Sequence, residues 1–142
     1  MTIATILGGK GGGVVTLTAD ATVGEAVALL AERRIGAVPV MAGDQVAGIF
    51  SERDVIHSLK SYGVGALDRS VGEVMTAPAV TVAPHEPAIG ALSLMSRRRI
   101  RHLPVVDKGK LVGFVSIGDL VKYRIDRIEA EATAMRDYIQ SA

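Results

Sequence analysis

Two serines each stand three residues before a carboxylate in one recurring phrase, Gly48-Ile49-Phe50-Ser51-Glu52-Arg53-Asp54 and Gly113-Phe114-Val115-Ser116-Ile117-Gly118-Asp119. A serine that follows an apolar strand and opens a helix aims a hydroxyl and free backbone N–H groups at one spot, a natural seat for phosphate. A carboxylate three residues on lies on the same helical turn, where it can accept from both vicinal hydroxyls of a ribose. The same Ser-x-x-acid spacing also makes a capping box, in which serine and acid satisfy each other's helix-end donors and nothing is bound. Taken singly, either copy fits the commoner cap.

The elements that must position these groups are themselves duplicated. About a dozen identities hold from Val15 to Ile56 at a single offset of 65, among them Val15/Val80, Arg34/Arg99, Pro39/Pro104 and Gly48/Gly113. Each copy reads as strand, helix, strand, strand, helix. In the first copy a short strand at Val14 to Leu17 leads to a helix carrying Val23, Val27 and Leu30, then strands at Ala37 to Met41 and Val46 to Phe50. The second repeats this as Val80 to Val82, a helix with Ala88, Leu92 and Met95, and strands at Leu103 to Val106 and Leu111 to Val115. Alternating apolar runs and Gly/Asp turns carry these assignments. Residues 1–66 hold the first repeat with a Gly-rich N-terminal segment; 67–142 hold a linker with one short helical turn, the second repeat and a C-terminal helix. That last helix continues past Asp119 with Val121, Ile125, Ile128, Ala132, Met135 and Ile139 on one stripe, so it should pack on its own module or a second subunit. Two units too small to bury a good core alone should share one, related by a pseudo-twofold axis with two equivalent clefts.

This tandem, with Gly-hydrophobic-x-Ser-x-x-Asp closing each copy, Ile-x-x-hydrophobic-Pro-Val in the middle and Val74-Met75-Thr76-x-x-x-Val80-Thr81-Val82-x-Pro84 at the junction, resembles the cystathionine β-synthase (CBS) domain pair, or Bateman module. The resemblance covers nearly the whole chain. It implies an α+β or α/β fold of two repeats packed through their sheets plus the long C-terminal helix. It also implies a regulatory module that binds an adenine nucleotide between its repeats: AMP first, with ADP, ATP, NAD(H) or S-adenosylmethionine as alternatives. A homodimer shaped like a disc and an effector protein in trans complete the implied picture.

Carried onto this sequence, the resemblance favours the ligand reading of Ser51, Asp54, Ser116 and Asp119, with the aspartates on ribose. The copies differ where phosphate would be decided. Arg53 precedes Asp54 where Gly118 precedes Asp119, and Arg101-His102 precede Leu103-Pro104 where Gly36-Ala37 precede Val38-Pro39. Guanidinium groups donate in pairs to phosphate, and a histidine beside them adds pH sensitivity. The expectation is one better site built on Ser51, Arg53 and Asp54, completed by Arg101 and His102 of the other copy, and one weaker site. Thr16 and Thr81 match a position near ribose or phosphate, and the base would lie against the segments holding Ile35, Val38 and Pro39 or Leu103 and Pro104.

Other chemistries are excluded by residue type and context. Gly8-Gly9-Lys10-Gly11-Gly12-Gly13 lacks the Gly-Lys-Ser/Thr ending of a phosphate loop and reads as a flexible segment whose Lys10 can touch a bound nucleotide. The three histidines have no metal spacing, no cysteine is present, and no nucleophilic triad stands out, so neither metal nor enzyme is expected. A net charge of +1 gives no field for nucleic acid or an anionic membrane, although Arg97 to Arg101 keep a nucleic-acid reading as an alternative beside a ligand-free scaffold. With 49% hydrophobic residues but only two Phe, three Tyr and no Trp, the core should be aliphatic. No apolar run approaches a membrane span and no basic leader opens the chain, which points to the cytoplasm.

Overall fold

The computed structural model describes residues 1–11 and 13–141. In chain order the elements are α1 (Ile3–Lys10), β1 (Leu17–Thr18), α2 (Val23–Arg33), β2 (Ala37–Ala42), β3 (Gln45–Ser51) and α3 (Glu52–Tyr62). A 3-10 turn (Gly63–Asp68) and α4 (Val71–Val74) then lead to α5 (Ala88–Arg98), β4 (His102–Asp107), β5 (Lys110–Ser116) and α6 (Ile117–Ser141).

The internal symmetry extends to hydrogen-bond detail. Strand β2 pairs antiparallel with β3 through a two-residue turn at Gly43-Asp44, and β4 pairs with β5 through Lys108-Gly109. The turns demand positive φ, which Gly43 (60°), Lys108 (51°) and Gly109 (78°) supply. Both hairpins shift register at one equivalent place, Val40/Met41 and Val105/Val106. Strand β1 adds to β2 in parallel, Leu17 opposite Val40, and the second copy keeps only the equivalent bridge, Val82 opposite Val105. The strand expected at Val14 to Leu17 is corrected to Leu17–Thr18, and that expected at Val80 to Val82 is reduced to the single bridge at Val82. Helices α2 and α5 end alike, on Arg34 (φ 53°) and Arg99 (φ 54°) in the left-handed region, with Ile35 and Ile100 N–H donating back to Leu30 and Met95.

The single shared core expected from the sequence is corrected: each half has its own aliphatic core, and among the described residues Phe50, in the first, is the one fully buried aromatic ring. The first buries Val23, Ala26 and Leu30 of α2, Val38 and Val40 of β2, Phe50 of β3, and Val71 of α4. The second buries Ala88, Ala91 and Met95 of α5, Leu103 and Val105 of β4, Val115 of β5, Leu120 of α6, and Ile3 and Ile6 of α1. Burial of such side chains is the main favourable term in folding. The halves meet through β3 and β5.

The lead-in helices are exchanged. Helix α4, which introduces the second repeat, lies in the first core: Val71 N–H donates to Ala21 O (2.7 Å) and Gly72 N–H to Ala19 O (2.9 Å). Helix α1, which introduces the first repeat, lies in the second core: Ile3 N–H donates to Glu86 O and Ala4 N–H to Pro84 O, each at 2.9 Å. The flexible segment expected at the N-terminus is therefore corrected. Gly8, Gly9 and Lys10 form the last turn of α1, because burial of Ile3, Ile6 and Leu7 holds a helix that glycine alone would disfavour; Gly12 lies outside the described residues. The linker is likewise more ordered than one helical turn, running through the 3-10 turn into α4.

Candidate functional site

Each Ser-x-x-Asp forms where a buried strand delivers its serine to a helix start. Ser51 ends β3 and Asp54 sits in the first turn of α3; Ser116 ends β5 and Asp119 sits in the first turn of α6. The backbone N–H of each serine donates to its aspartate Oδ2, at 2.9 Å in both copies. The cap geometry is thus present in both, and what distinguishes the copies is the group brought in from the exchanged lead-in segment.

Asp54 is closed off. It is 8% exposed; Oδ2 also accepts from the Ser51 hydroxyl (3.2 Å), and Oδ1 accepts from the Thr76 hydroxyl (2.9 Å). Thr76 is held there by a bridge to Ile49, each N–H donating to the other's carbonyl at 2.9 Å. Gly48 makes this approach possible, because a Cβ there would lie 2.6 Å from Thr76 O and 2.9 Å from Met75 Sδ.

Asp119 is more open, its side chain 25% exposed. Its Oδ2 takes Lys10 Nζ at 2.8 Å, and the same ammonium donates to Phe114 O at 2.8 Å. Phe114 is the equivalent of Ile49 at the repeat offset of 65, so Lys10 occupies on the second half the place that Thr76 occupies on the first. Among the described residues, Asp119 Oδ1 has no hydrogen-bond donor. Burial works to raise the Asp119 carboxyl, but the hydrogen bond from Lys10, the Ser116 N–H and the Lys10 charge together hold it below the ordinary carboxylate value.

Arg101 and His102 belong to this second cleft. His102 opens β4 opposite Ser116, and Arg101 O accepts from Ile117 N–H at 2.8 Å. The His102 ring stacks on Phe114, centroids 5.5 Å apart at 13°. Burial, then the Lys10 charge, lowers its pKa below the ordinary imidazole value against the pull of Asp119 and Glu52. The structure therefore does not join Arg101 and His102 to Arg53 and Asp54 as expected; antiparallel pairing sets His102 opposite Ser116, and Glu52 and Gly36 reach it from the first half. Glu52 Oε1 and His102 Cε1 both close on Gly36. Arg53 is exposed on α3.

Between the halves, next to Lys10, lies a cavity of about 190 Å³ lined by Leu7, Lys10, Gly11, Gly13, Val14, Val15, Ile35, Val112, Gly113 and Phe114. That is below the roughly 300 Å³ at which small-molecule sites begin, so with Lys10 in place it takes only part of a nucleotide. Of the expected base-pocket residues, Ile35 lines it, whereas Val38 and Leu103 point into the two cores and Pro39 and Pro104 are buried. Thr16 and Thr81 are exposed. A larger cavity of about 320 Å³ between α5 and α6 is lined by Ala88, Ile89, Leu92, Leu120 and Tyr123, contains neither Ser-x-x-Asp, and is not this site. Sequence reasoning missed Thr76 as a partner of Asp54, Glu52, and the stacking ring of Phe114; the junction motif that includes Thr76 was the available signal. Among the described residues no cluster of metal-ligating side chains forms, and no helix is long and apolar enough to cross a membrane.

The comparisons with known proteins agree with this architecture. The chain is 34% identical over 148 residues to the mitochondrial CBS domain-containing protein CBSX3 of Arabidopsis thaliana, covering 98% of this chain and 72% of that protein. A protein with CBS domains from Burkholderia ambifaria superposes with a TM-score of 0.83 at 40% identity, covering 89% and 95% of the two chains. A CBS domain protein of Pyrobaculum aerophilum, solved in complex with AMP, superposes with a TM-score of 0.74 at 29% identity over 84% and 89%. The CBS domain family model matches twice, at residues 13–61 and 71–126, once on each structural repeat, and the chain belongs to the CBS domain family.

Proposed function

We propose that this chain is a ligand-sensing regulatory module rather than an enzyme, that it binds an adenine nucleotide between its repeats, and that AMP is the preferred ligand. The observation that carries this reading is Asp119: a carboxylate held ionised at a helix start, its Oδ1 open, near His102 and paired with Lys10, which itself lines the cavity between the halves. Ribose hydroxyls would donate to that carboxylate, and the basic residues would face phosphate. The AMP complex of the Pyrobaculum relative supports the ligand class. Asp54, closed by Ser51 and Thr76, must release Thr76 before it can serve a second ligand, so the Asp119 cleft is the better site. Occupancy there changes the pose of the two halves and thereby the affinity for a separate effector protein.

Both aspartates are engaged at helix starts, Asp54 by Ser51 and Thr76 and Asp119 by Ser116 and Lys10, which favours a binding role over catalysis. Arg97 to Arg99 close α5, with Arg99 as its left-handed cap, which favours the helix-end role over nucleic acid. The test is calorimetric titration of the full chain with AMP, ADP, ATP, NAD(H) and S-adenosylmethionine. Saturable heat with AMP supports the proposal; silence with all of them overturns it.

A further inference from the structure

Helix α6 leaves the module after Tyr123. All residues from 124 to 141 are exposed, an extension of about 27 Å at the α-helical rise. Its apolar residues are not scattered. Val121 (43% exposed), Ile125 (49%), Ile128 (49%), Met135 (60%) and Ile139 (64%), with Ala132, step along the helix by alternating intervals of four and three residues. Val121, Ile128 and Met135 are each seven apart, as are Ile125, Ala132 and Ile139. Two interleaved heptad rows make a continuous seam of the kind that closes on another helix by knobs-into-holes packing.

The charges beside the seam select the occupant. Arg124 and Glu131 flank one edge; Lys122, Glu129 and Arg136 flank the other. In a parallel pair, a residue on the first edge meets the residue five further on in the partner. Arg124 then meets Glu129 of a second copy, and Glu131 meets Arg136, each contact opposite in sign and made twice by symmetry. An antiparallel pair that covers the whole seam instead sets Glu129 on Glu129, Glu131 on Glu131 and Lys122 against Arg136. We propose that residues 121–139 form a parallel, in-register coiled coil with the same segment of a second copy of this chain, which holds two modules side by side at its N-terminal end. The proposal stands apart from the nucleotide reading.

The chain contains no cysteine, so a single introduced one reports register directly. Ile128 is half exposed, and Ile128→Cys leaves the module core untouched. In the full chain, mild oxidation should convert Ile128→Cys to a covalent dimer in high yield, and light scattering should give a dimer for the unmodified protein. Arg124→Glu should weaken that dimer about tenfold, and adding Glu129→Arg should restore it. A monomer by light scattering, a dimer that never cross-links at position 128, or a seam that cross-links only to a different protein would each overturn the proposal.

Discussion

Lys10 Nζ lies 2.8 Å from Asp119 Oδ2, the oxygen that the Ser116 N–H also bonds, whereas Thr76 Oγ1 lies 2.9 Å from Asp54 Oδ1 and closes the other cleft. Each lead-in segment thus crosses to the opposite half and places one side chain on its carboxylate, a cation in one case and a neutral hydroxyl in the other. The two clefts of a nearly twofold molecule are unequal for this reason.

Lys10 holds Asp119 Oδ2, the oxygen for which a ribose that engages both carboxylate oxygens must compete. Lys10→Ala should therefore tighten the binding of adenosine, which brings no phosphate for the lysine to hold, by up to about fivefold, since a partly exposed ion pair contributes under about 1 kcal/mol. Adenosine affinity by calorimetry is the measurement; a marked fall would mean that Lys10 holds the ligand instead of competing with it.

The two aspartates should differ in structural cost. Asp54→Ala removes a buried carboxylate and leaves the Ser51 N–H, the Ser51 hydroxyl and the Thr76 hydroxyl without their acceptor. Orphaned donors of this kind cost about 2–4 kcal/mol together, whereas Asp119→Ala, in a more open site, should cost about 1 kcal/mol. Urea unfolding of both variants measures the difference, and equal costs would contradict the asymmetry.

Glycine 48 should tolerate substitution less well than its counterpart. A Cβ at Gly48 meets backbone, Thr76 O at 2.6 Å, while one at Gly113 meets the tip of Leu7, at 2.5 and 2.6 Å. A flexible side chain yields and a bridged backbone does not. Gly48→Ala should lose about 1–3 kcal/mol, as overpacked sites do, and Gly113→Ala less; thermal melts in parallel would rank them.

His102 gives the stability a pH dependence. Its folded pKa is lowered by burial and then by Lys10, so the unfolded chain binds this proton more readily. The contribution is present above the ordinary imidazole value and falls away as pH drops through it toward the folded one. The unfolding midpoint should decrease as pH falls below the ordinary imidazole value of about 6.5, and His102→Asn should flatten that slope; an unchanged slope would remove His102 from the account.

The repeat, its hairpins and both Ser-x-x-Asp phrases were legible because their identities share one register and strand alternation shows directly in Val-rich runs. The lead-in exchange was not, for a physical reason. The acceptors Ala21 and Glu86 are 65 apart, but their donors, Val71 and Ile3, are 68 apart, so the first lead-in carries three extra residues and loses its match. Its glycines also hide a helix that only tertiary burial sustains. The grouping of Arg101 and His102 with Asp119 was within reach, since a two-residue turn at Lys108-Gly109 already sets His102 opposite Ser116.

The central claim, that the Asp119 carboxylate holds the ribose of an adenine nucleotide, is tested most directly by a double-mutant cycle in solution. AMP and 2′-deoxy-AMP are titrated into the unmodified chain and into Asp119→Asn. AMP should bind the unmodified chain at least about tenfold more tightly than its deoxy analogue, a single charge-assisted hydrogen bond being worth about 1.5–3 kcal/mol, and Asp119→Asn should erase most of that preference. A preference that survives intact in Asp119→Asn, or an AMP affinity indifferent to the hydroxyl, would contradict it.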